Sequence, residues 1–269
     1  MTPATATAAP PLAVRLLEDP RVRLAFSDRR TGNVSLRVGP ADGNPSADAM
    51  AARRRLAAAV GLAPDEAVYA EQVHAAGVAV VGSGERGRGA RRHSGAVAAV
   101  DALVTADEGV GVVVQAADCV PLLMVLPGVA VAAVHAGRRG VEAGVVPAAL
   151  DVLEALGGAA ASRQVIAVIG PAIGGCCYEV PADLAARVVA ALPAAAASTT
   201  WGAPALDLPA GVAAQLRDRG VARIERAGGC TRCNGGLWFS ARAASAGEQP
   251  DGRHAGIVAR LPDTSHEAA

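Results

Sequence analysis

The chain has no lysine. All 25 of its basic residues are arginine, and 25 acidic residues bring the formal net charge to zero. That balance excludes a strong electrostatic footprint for nucleic acid or anionic lipid over the chain as a whole, so neither nucleic acid nor membrane is expected among its partners. Aromatic residues are also scarce, at 2%, although 52% of the 269 residues are apolar. The core must therefore be built from Val, Leu, Ile and Ala. A membrane-spanning run is missing as well. The longest apolar stretch, Gly109 to Ala136, is interrupted by Gln115, Asp118, Cys119, Pro121, Pro127 and Gly128, whereas a spanning helix needs about 20 largely apolar residues. It reads as three buried strands with turns. Met1 to Pro11 carries neither a basic segment nor a continuous apolar one. The five cysteines, Cys119, Cys176, Cys177, Cys230 and Cys233, are odd in number and form no secreted framework. A reducing cytoplasm is the simplest compartment.

Strand-like runs are expected at Val22–Phe26, Val68–His74, Val78–Val81, Ala102–Thr105, Gly111–Gln115, Leu122–Leu126, Val129–Val134 and Val165–Ile169. The strands Val68–His74 and Val78–Val81 flank a turn at Ala75-Ala76-Gly77. Ile224, Trp238-Phe239 and Ala255–Leu261 complete the sheets. Helices are expected from Asn44-Pro45-Ser46 to Gly61, from Gly140 to Leu156, over Ala182–Leu192 and over Pro209–Arg219. Strands occur in adjacent runs as well as between helices. This predicts an α+β fold, a single domain with mixed β-sheets flanked by helices. The domain is expected over residues 12–262, with 1–11 and 263–269 as flexible tails.

Four short segments break the Val/Ala background at expected strand ends: Glu71-Gln72-Val73-His74, Ala117-Asp118-Cys119-Val120-Pro121, His135-Ala136-Gly137-Arg138-Arg139-Gly140, and the run from Gly170 to Val180. Two imidazoles and one thiolate form a known catalytic zinc set that leaves one position open. His74, Cys119 and His135 could supply it only by converging from three strand ends. Equally, they could be hydrogen-bonded core histidines and a small buried thiol. Asp118 could orient a metal-bound histidine or move a proton, or simply cap a turn. The Gly-rich junction carrying Arg138 and Arg139 fits either an anion site or a tight turn. The polar segment Gly82–Gly95, with Arg86, Arg88, Arg91 and Arg92, reads as a solvated loop or as a phosphate or partner site. Cys230-Thr231-Arg232-Cys233 has no second CxxC to complete a four-cysteine site and no thioredoxin-like context, so it reads as structural. Cys176-Cys177 read as packing or turn residues.

Taken together these segments resemble the laccase-domain family, whose members are described as multicopper polyphenol oxidoreductases, purine nucleoside phosphorylases or peptidoglycan editing factors. The carrying motifs, in family order, are Gln72-Val73-His74, Ala117-Asp118-Cys119-Val120-Pro121, His135 to Gly140, Gly170 to Val180, Cys230-Thr231 and Gly252-Arg253. The resemblance implies zinc at His74, Cys119 and His135, with copper the lesser alternative. It implies phosphorolysis of purine nucleosides, including methylthioadenosine, and deamination of adenosine; purine nucleosides and phosphate are then the partners. Asp118, Cys119 and Arg139 become catalytic candidates, and Arg138, Arg139 and Arg242 substrate-binding ones. The chain departs from the family pattern at Arg138, usually Trp, at Gly175, usually Pro, and at Ala241, often His. It is also short over Ser27–Gly43. These departures bear on substrate preference, whereas the three proposed ligands are intact. Two rival chemistries use the same segments. A multicopper polyphenol oxidase is opposed by scarce methionine and by only five histidines, at 74, 93, 135, 254 and 266. A cysteine hydrolase acting on cell-wall peptides would use Cys119 as nucleophile. A non-enzymatic binding module would turn over no nucleoside.

Overall fold

A computed structural model describes residues 12–14, 19–38 and 47–263. The expected tails at 1–11 and 263–269, apart from Asp263, and the expected helix start at Asn44-Pro45-Ser46 lie outside them. Two mixed sheets dominate. The first has five strands in the order β1 (Leu12–Val14), β2 (Val22–Phe26), β13 (His254–Arg260), β6 (Val110–Ala116) and β3 (Ala67–Tyr69). The second has six, in the order β12 (Arg223–Arg226), β9 (Ile166–Ile169), β7 (Val120–Leu126), β8 (Ala130–Ala136), β5 (Ala102–Thr105) and β4 (Val78–Val80). A separate hairpin, β10 (Ala196–Ser198) with β11 (Pro204–Leu206), lies in the Ala-rich connector.

The sheets pack face to face and each is backed by helices. Leu24, Phe26, Val112, Val114 and Val258 of the first sheet meet Leu103, Leu123, Val125, Val131 and Val168 of the second. The opposite face of the second sheet, with Val104, Leu122, Met124 and Val134, packs on Val146, Leu150 and Leu153 of α3 (Val145–Gly157) and on Val212 and Leu216 of α5 (Leu208–Asp218). The far face of the first sheet receives Ala52, Leu56 and Ala57 of α1 (Ala47–Ala59). Strands sandwiched in this way are apolar on both sides, which is why β7 and β8 are buried at every position. Small side chains let a rare aromatic fit: a Cβ on Gly256 would meet Phe26 Cε1 at 2.8 Å. The α+β expectation of one domain with mixed sheets and flanking helices holds. No helix among the described residues is long and apolar enough to cross a membrane.

Three expectations are corrected. The strand expected over Val68–His74 ends at Tyr69, and the turn after it makes no hairpin, because β3 and β4 belong to different sheets. The helix expected over Gly140–Leu156 is two helices, α2 (Arg138–Glu142) and α3, divided at Gly144, whose φ of 85° is left-handed and breaks the helical path. Trp238 and Phe239 are buried in a loop rather than a strand. The helices over α4 (Ala182–Ala191) and α5 match expectation; Asp207 caps α5 by accepting from Ala210 N at 2.8 Å.

His254 opens β13 at 0% exposure and bonds through Nε2 to the Pro171 carbonyl at 3.1 Å. Burial pushes its imidazole down from 6.5 to about 4. The unfolded chain therefore takes up this proton first, and acidification between these two values favours unfolding. We expect this residue alone to remove about 3 kcal/mol of stability across that window. Denaturant midpoints recorded from pH 7 to pH 4 will fall steeply in the parent chain and more shallowly in His254→Gln. Parallel profiles would contradict the assignment.

Candidate metal centre and its cleft

The three expected ligands approach from different elements and both sheets. His74 follows β3 of the first sheet, His135 lies near the end of β8 in the second, and Cys119 sits in the loop that carries the chain from β6 to β7. Gln72 brings His74 into place. Its side-chain amide accepts from Gln115 N at 2.8 Å and donates to Gln115 O at 2.7 Å, prolonging the β3–β6 pairing after the backbone pairing has stopped. His74 itself has φ 61°, a left-handed conformation uncommon outside glycine.

Asp101 is what holds that conformation, and sequence reasoning missed it. Its carboxylate accepts from the backbone N–H groups of His74 (2.9 Å), Ala75 (2.7 Å) and Val73 (3.2 Å). The same group meets His135 Nδ1 at 2.7 Å, and the Asp101 carbonyl accepts from His135 N at 2.7 Å. One buried carboxylate thus shapes the His74 turn and orients the His135 ring, leaving His135 Nε2 for Cys119 or a cation. The signal in the sequence was slight: a single acid directly ahead of the apolar strand β5.

The ligand atoms of His74, Cys119 and His135 lie within 4.8 Å of one another. Cys119 Sγ is 3.7 Å from His74 Nε2, and the imidazole rings stand nearly perpendicular with centroids 4.7 Å apart. A tetrahedral ion with ordinary Zn–S and Zn–N lengths needs sulfur and nitrogen roughly 3.6 Å apart, so the donor set fits such an ion in chemistry and spacing. Gly137 keeps the space clear: a Cβ there would lie 2.9 Å from both Cys119 Sγ and His74 Cδ2. The glycine in the His135–Gly140 junction thus serves close approach to the centre.

The electrostatics are those of an ion pair. Burial would raise the Cys119 thiol, but the charge of His135 and hydrogen bonds with both imidazoles bring it down to about 6. Burial would lower His135, but Cys119 and the bond to Asp101 hold it up at about 9. Burial would also raise the Asp101 carboxyl, yet the bonds from His135, Ala75 and His74 keep it below its ordinary value.

The centre opens into a cleft of about 640 Å³, which Arg37, Arg242 and Arg253 also line. Asp118 lies there too, with φ 86°. Its Oδ1 accepts from Thr231 Oγ1 at 2.6 Å and its Oδ2 from Arg242 N at 2.7 Å, in the first turn of α6 (Ala241–Ser245). Of the readings open for Asp118, the orienting of a ligand histidine falls to Asp101, while Asp118 ties the β6–β7 loop to two later segments. The Arg242 guanidinium stacks 5.5 Å over Tyr178 and donates to Glu179 O at 3.0 Å. Arg138 and Arg139 are not among the residues lining the cleft. Arg138 pairs with Glu142, and Arg139 reaches the Val73 carbonyl at 3.5 Å. Cys176 and Cys177 lie in a turn, as expected, and they also complete, with Cys230 and Cys233, a second group of mutually close donors, which the lack of a second CxxC had not suggested.

Residues 23–261 match the family model described as multi-copper polyphenol oxidoreductase laccase. A purine nucleoside phosphorylase of Streptomyces coelicolor, SCO2081, is 45% identical over 217 residues, covering 77% of this chain and 84% of the relative. A purine nucleoside phosphorylase of Streptomyces griseus, ORF3, is 42% identical over 87% of this chain and 92% of its own. Among solved structures, YlmD from Geobacillus stearothermophilus aligns with a TM-score of 0.77 at 30% identity over 94% of this chain and 100% of that one. The Bacillus licheniformis hypothetical protein YfiH aligns at 0.80 with 26% identity, over 96% and 98%.

In chelator-treated protein, alkylation of Cys119 followed by peptide mass spectrometry is expected to show a pH midpoint near 6. Asp101→Asn weakens the positive charge of His135 and so moves that midpoint up toward the ordinary thiol value of about 8.5. An unmoved midpoint would show that Asp101 does not govern the pair.

Proposed function

The chain belongs to the multi-copper polyphenol oxidoreductase laccase family, and on that premise we propose that it is a zinc-dependent purine nucleoside phosphorylase that also cleaves methylthioadenosine and deaminates adenosine. The observation that carries the reading is the convergence of His74, Cys119 and His135 at an arginine-lined cleft. The names of the Streptomyces relatives, purine nucleoside phosphorylases, suggest the substrate class. The scarcity of methionine and histidine opposes a multicopper centre despite the family's name.

The proposed roles follow from the geometry. His74, Cys119 and His135 hold zinc, and Asp101 fixes the tautomer of His135. When bound, zinc supplies Lewis acidity toward an oxygen nucleophile or a developing negative charge. The Arg242 guanidinium faces the cleft and is placed to take phosphate or ribose oxygens. Arg139, which reaches the Val73 carbonyl beside His74 without lining the cleft, would have to swing inward to share that task, as would Arg138 next to it. In phosphorolysis a phosphate oxygen bonds to C1′ of the ribose while the C1′–N9 bond breaks, its electron pair leaving with the purine. In deamination water adds at C6 of adenine and ammonia departs. Asp118 acts as a positioning residue that keeps Cys119 and Arg242 in register.

One observation favours a second reading. Asp101, His135 and Cys119 stand in the order carboxylate, imidazole, thiol that cysteine hydrolases use. The nucleophile reading has no task for His74, whose Nε2 also faces the sulfur.

Purified protein incubated with adenosine and phosphate is expected to yield adenine and ribose 1-phosphate, with inosine as the second product. Cys119→Ala and exhaustive chelation should each lower both rates by a factor of about 100 or more, with zinc restoring the chelated protein. Turnover that survives Cys119→Ala would sink this assignment. Chelator-resistant amidase activity abolished by thiol alkylation would install the nucleophile reading in its place.

A further inference from the structure

The described residues hold a second group of soft donors with no part in the reaction above. Cys176 and Cys177 lie in a turn after β9, closed by the bonds from Cys177 N and Tyr178 N to Gly174 O at 2.9 and 3.0 Å. Cys230 and Cys233 lie in a turn after β12, closed by the bond from Asn234 N to Cys230 O at 3.0 Å. β9 and β12 are parallel neighbours, so both segments leave the same end of the sheet side by side. A bridge between Ala172 and Cys230, with Thr231 N donating to Ala172 O at 3.0 Å, sets their register.

The four sulfurs lie within 4.8 Å of one another. Cys233 Sγ is 3.6 Å from Cys176 Sγ and 3.4 Å from Cys177 Sγ. Four thiolates around one tetrahedral ion at about 2.3 Å form a tetrahedron with edges of roughly 3.8 Å. A disulfide needs about 2.0 Å. An iron–sulfur cluster places several iron and sulfide atoms between its cysteines and spreads them farther than one ion does. Packing gives no reason to gather four thiols at one spot, two of them half-buried and one exposed. Four sulfur ligands in a tetrahedral array are the donor set of a closed structural zinc site.

We propose that Cys176, Cys177, Cys230 and Cys233 bind a second, structural ion of the zinc class, which clasps the segments after β9 and β12 together. The clasp lies next to the cleft. Thr231, between the last two ligands, holds Asp118 Oδ1, and Tyr178, just after the first two, lines the cleft. The site is independent of the zinc centre proposed above, since no residue serves both.

Metal content of the purified full chain, measured by plasma mass spectrometry against sulfur, tests the proposal. A chain in which His74 and Cys119 are both replaced by alanine is expected to retain one zinc. A chain carrying Cys230→Ser and Cys233→Ser is expected to bind one fewer zinc than the parent and to melt at lower temperature. If the serine variant fails to fold, the His74/Cys119 double variant decides. Mercurial titration of the His74/Cys119 double variant should release one zinc as four thiols react, and cobalt replacing that zinc should give the intense visible bands of a tetrahedral all-thiolate site. No retained metal in the double variant, a mass showing a disulfide among the four cysteines, or iron with inorganic sulfide in place of zinc would each overturn the proposal. Absence of nucleoside turnover in the parent chain with this zinc in place would count against the catalytic reading alone.

Discussion

A single buried carboxylate organises the centre. Asp101 immediately precedes β5 and receives three consecutive backbone N–H groups of the His74 turn along with His135 Nδ1. The Asp101 carboxylate is itself buried, and leaving it without these partners would be expensive. The left-handed conformation of His74 exists because those N–H groups have a common acceptor, and the ring of His135 is fixed for the same reason. The arrangement couples the outer end of β3 to the inner end of β8, although the two strands lie in different sheets. The chemistry at Cys119 then follows from electrostatics, since a thiol between two imidazoles, one of them backed by a carboxylate, loses its proton readily.

Much of the fold was legible because its pattern is repetitive. Long Val/Ala runs interrupted at Pro127-Gly128 and at Asp118-Cys119 mark the strands β6, β7 and β8, and Pro209 marks a helix start. Alternation could not say which sheet a strand joins. β3 and β4 are separated by a short turn, yet Gln72 and Asp101 send the chain from one sheet to the other instead of into a hairpin. The break at Gly144 was masked by apolar residues that continue the helical pattern on either side.

The centre was legible in its ligands but not in its supports. His74, Cys119 and His135 stand out as reactive side chains against an inert background. Asp101 does not, because an acid before a strand is ordinary and its partners are backbone groups that carry no sequence signature. Asp118 stands out for its position yet serves as a brace. The four-cysteine group was hidden by spacing. Cys176 and Cys177 are adjacent rather than separated by two residues, and only the parallel pairing of β9 with β12 brings them to Cys230 and Cys233.

Gly137 faces the three donors with no atom beyond its Cα, and a methyl group there would occupy the ground between Cys119 and His74. The vacancy is as specific as the donors themselves. One added carbon, remote from any proton-transfer step and neutral in charge, is enough to push sulfur and imidazole apart. Loss of the centre therefore does not require loss of a ligand: a chain with all three donors in place can still be unable to gather them.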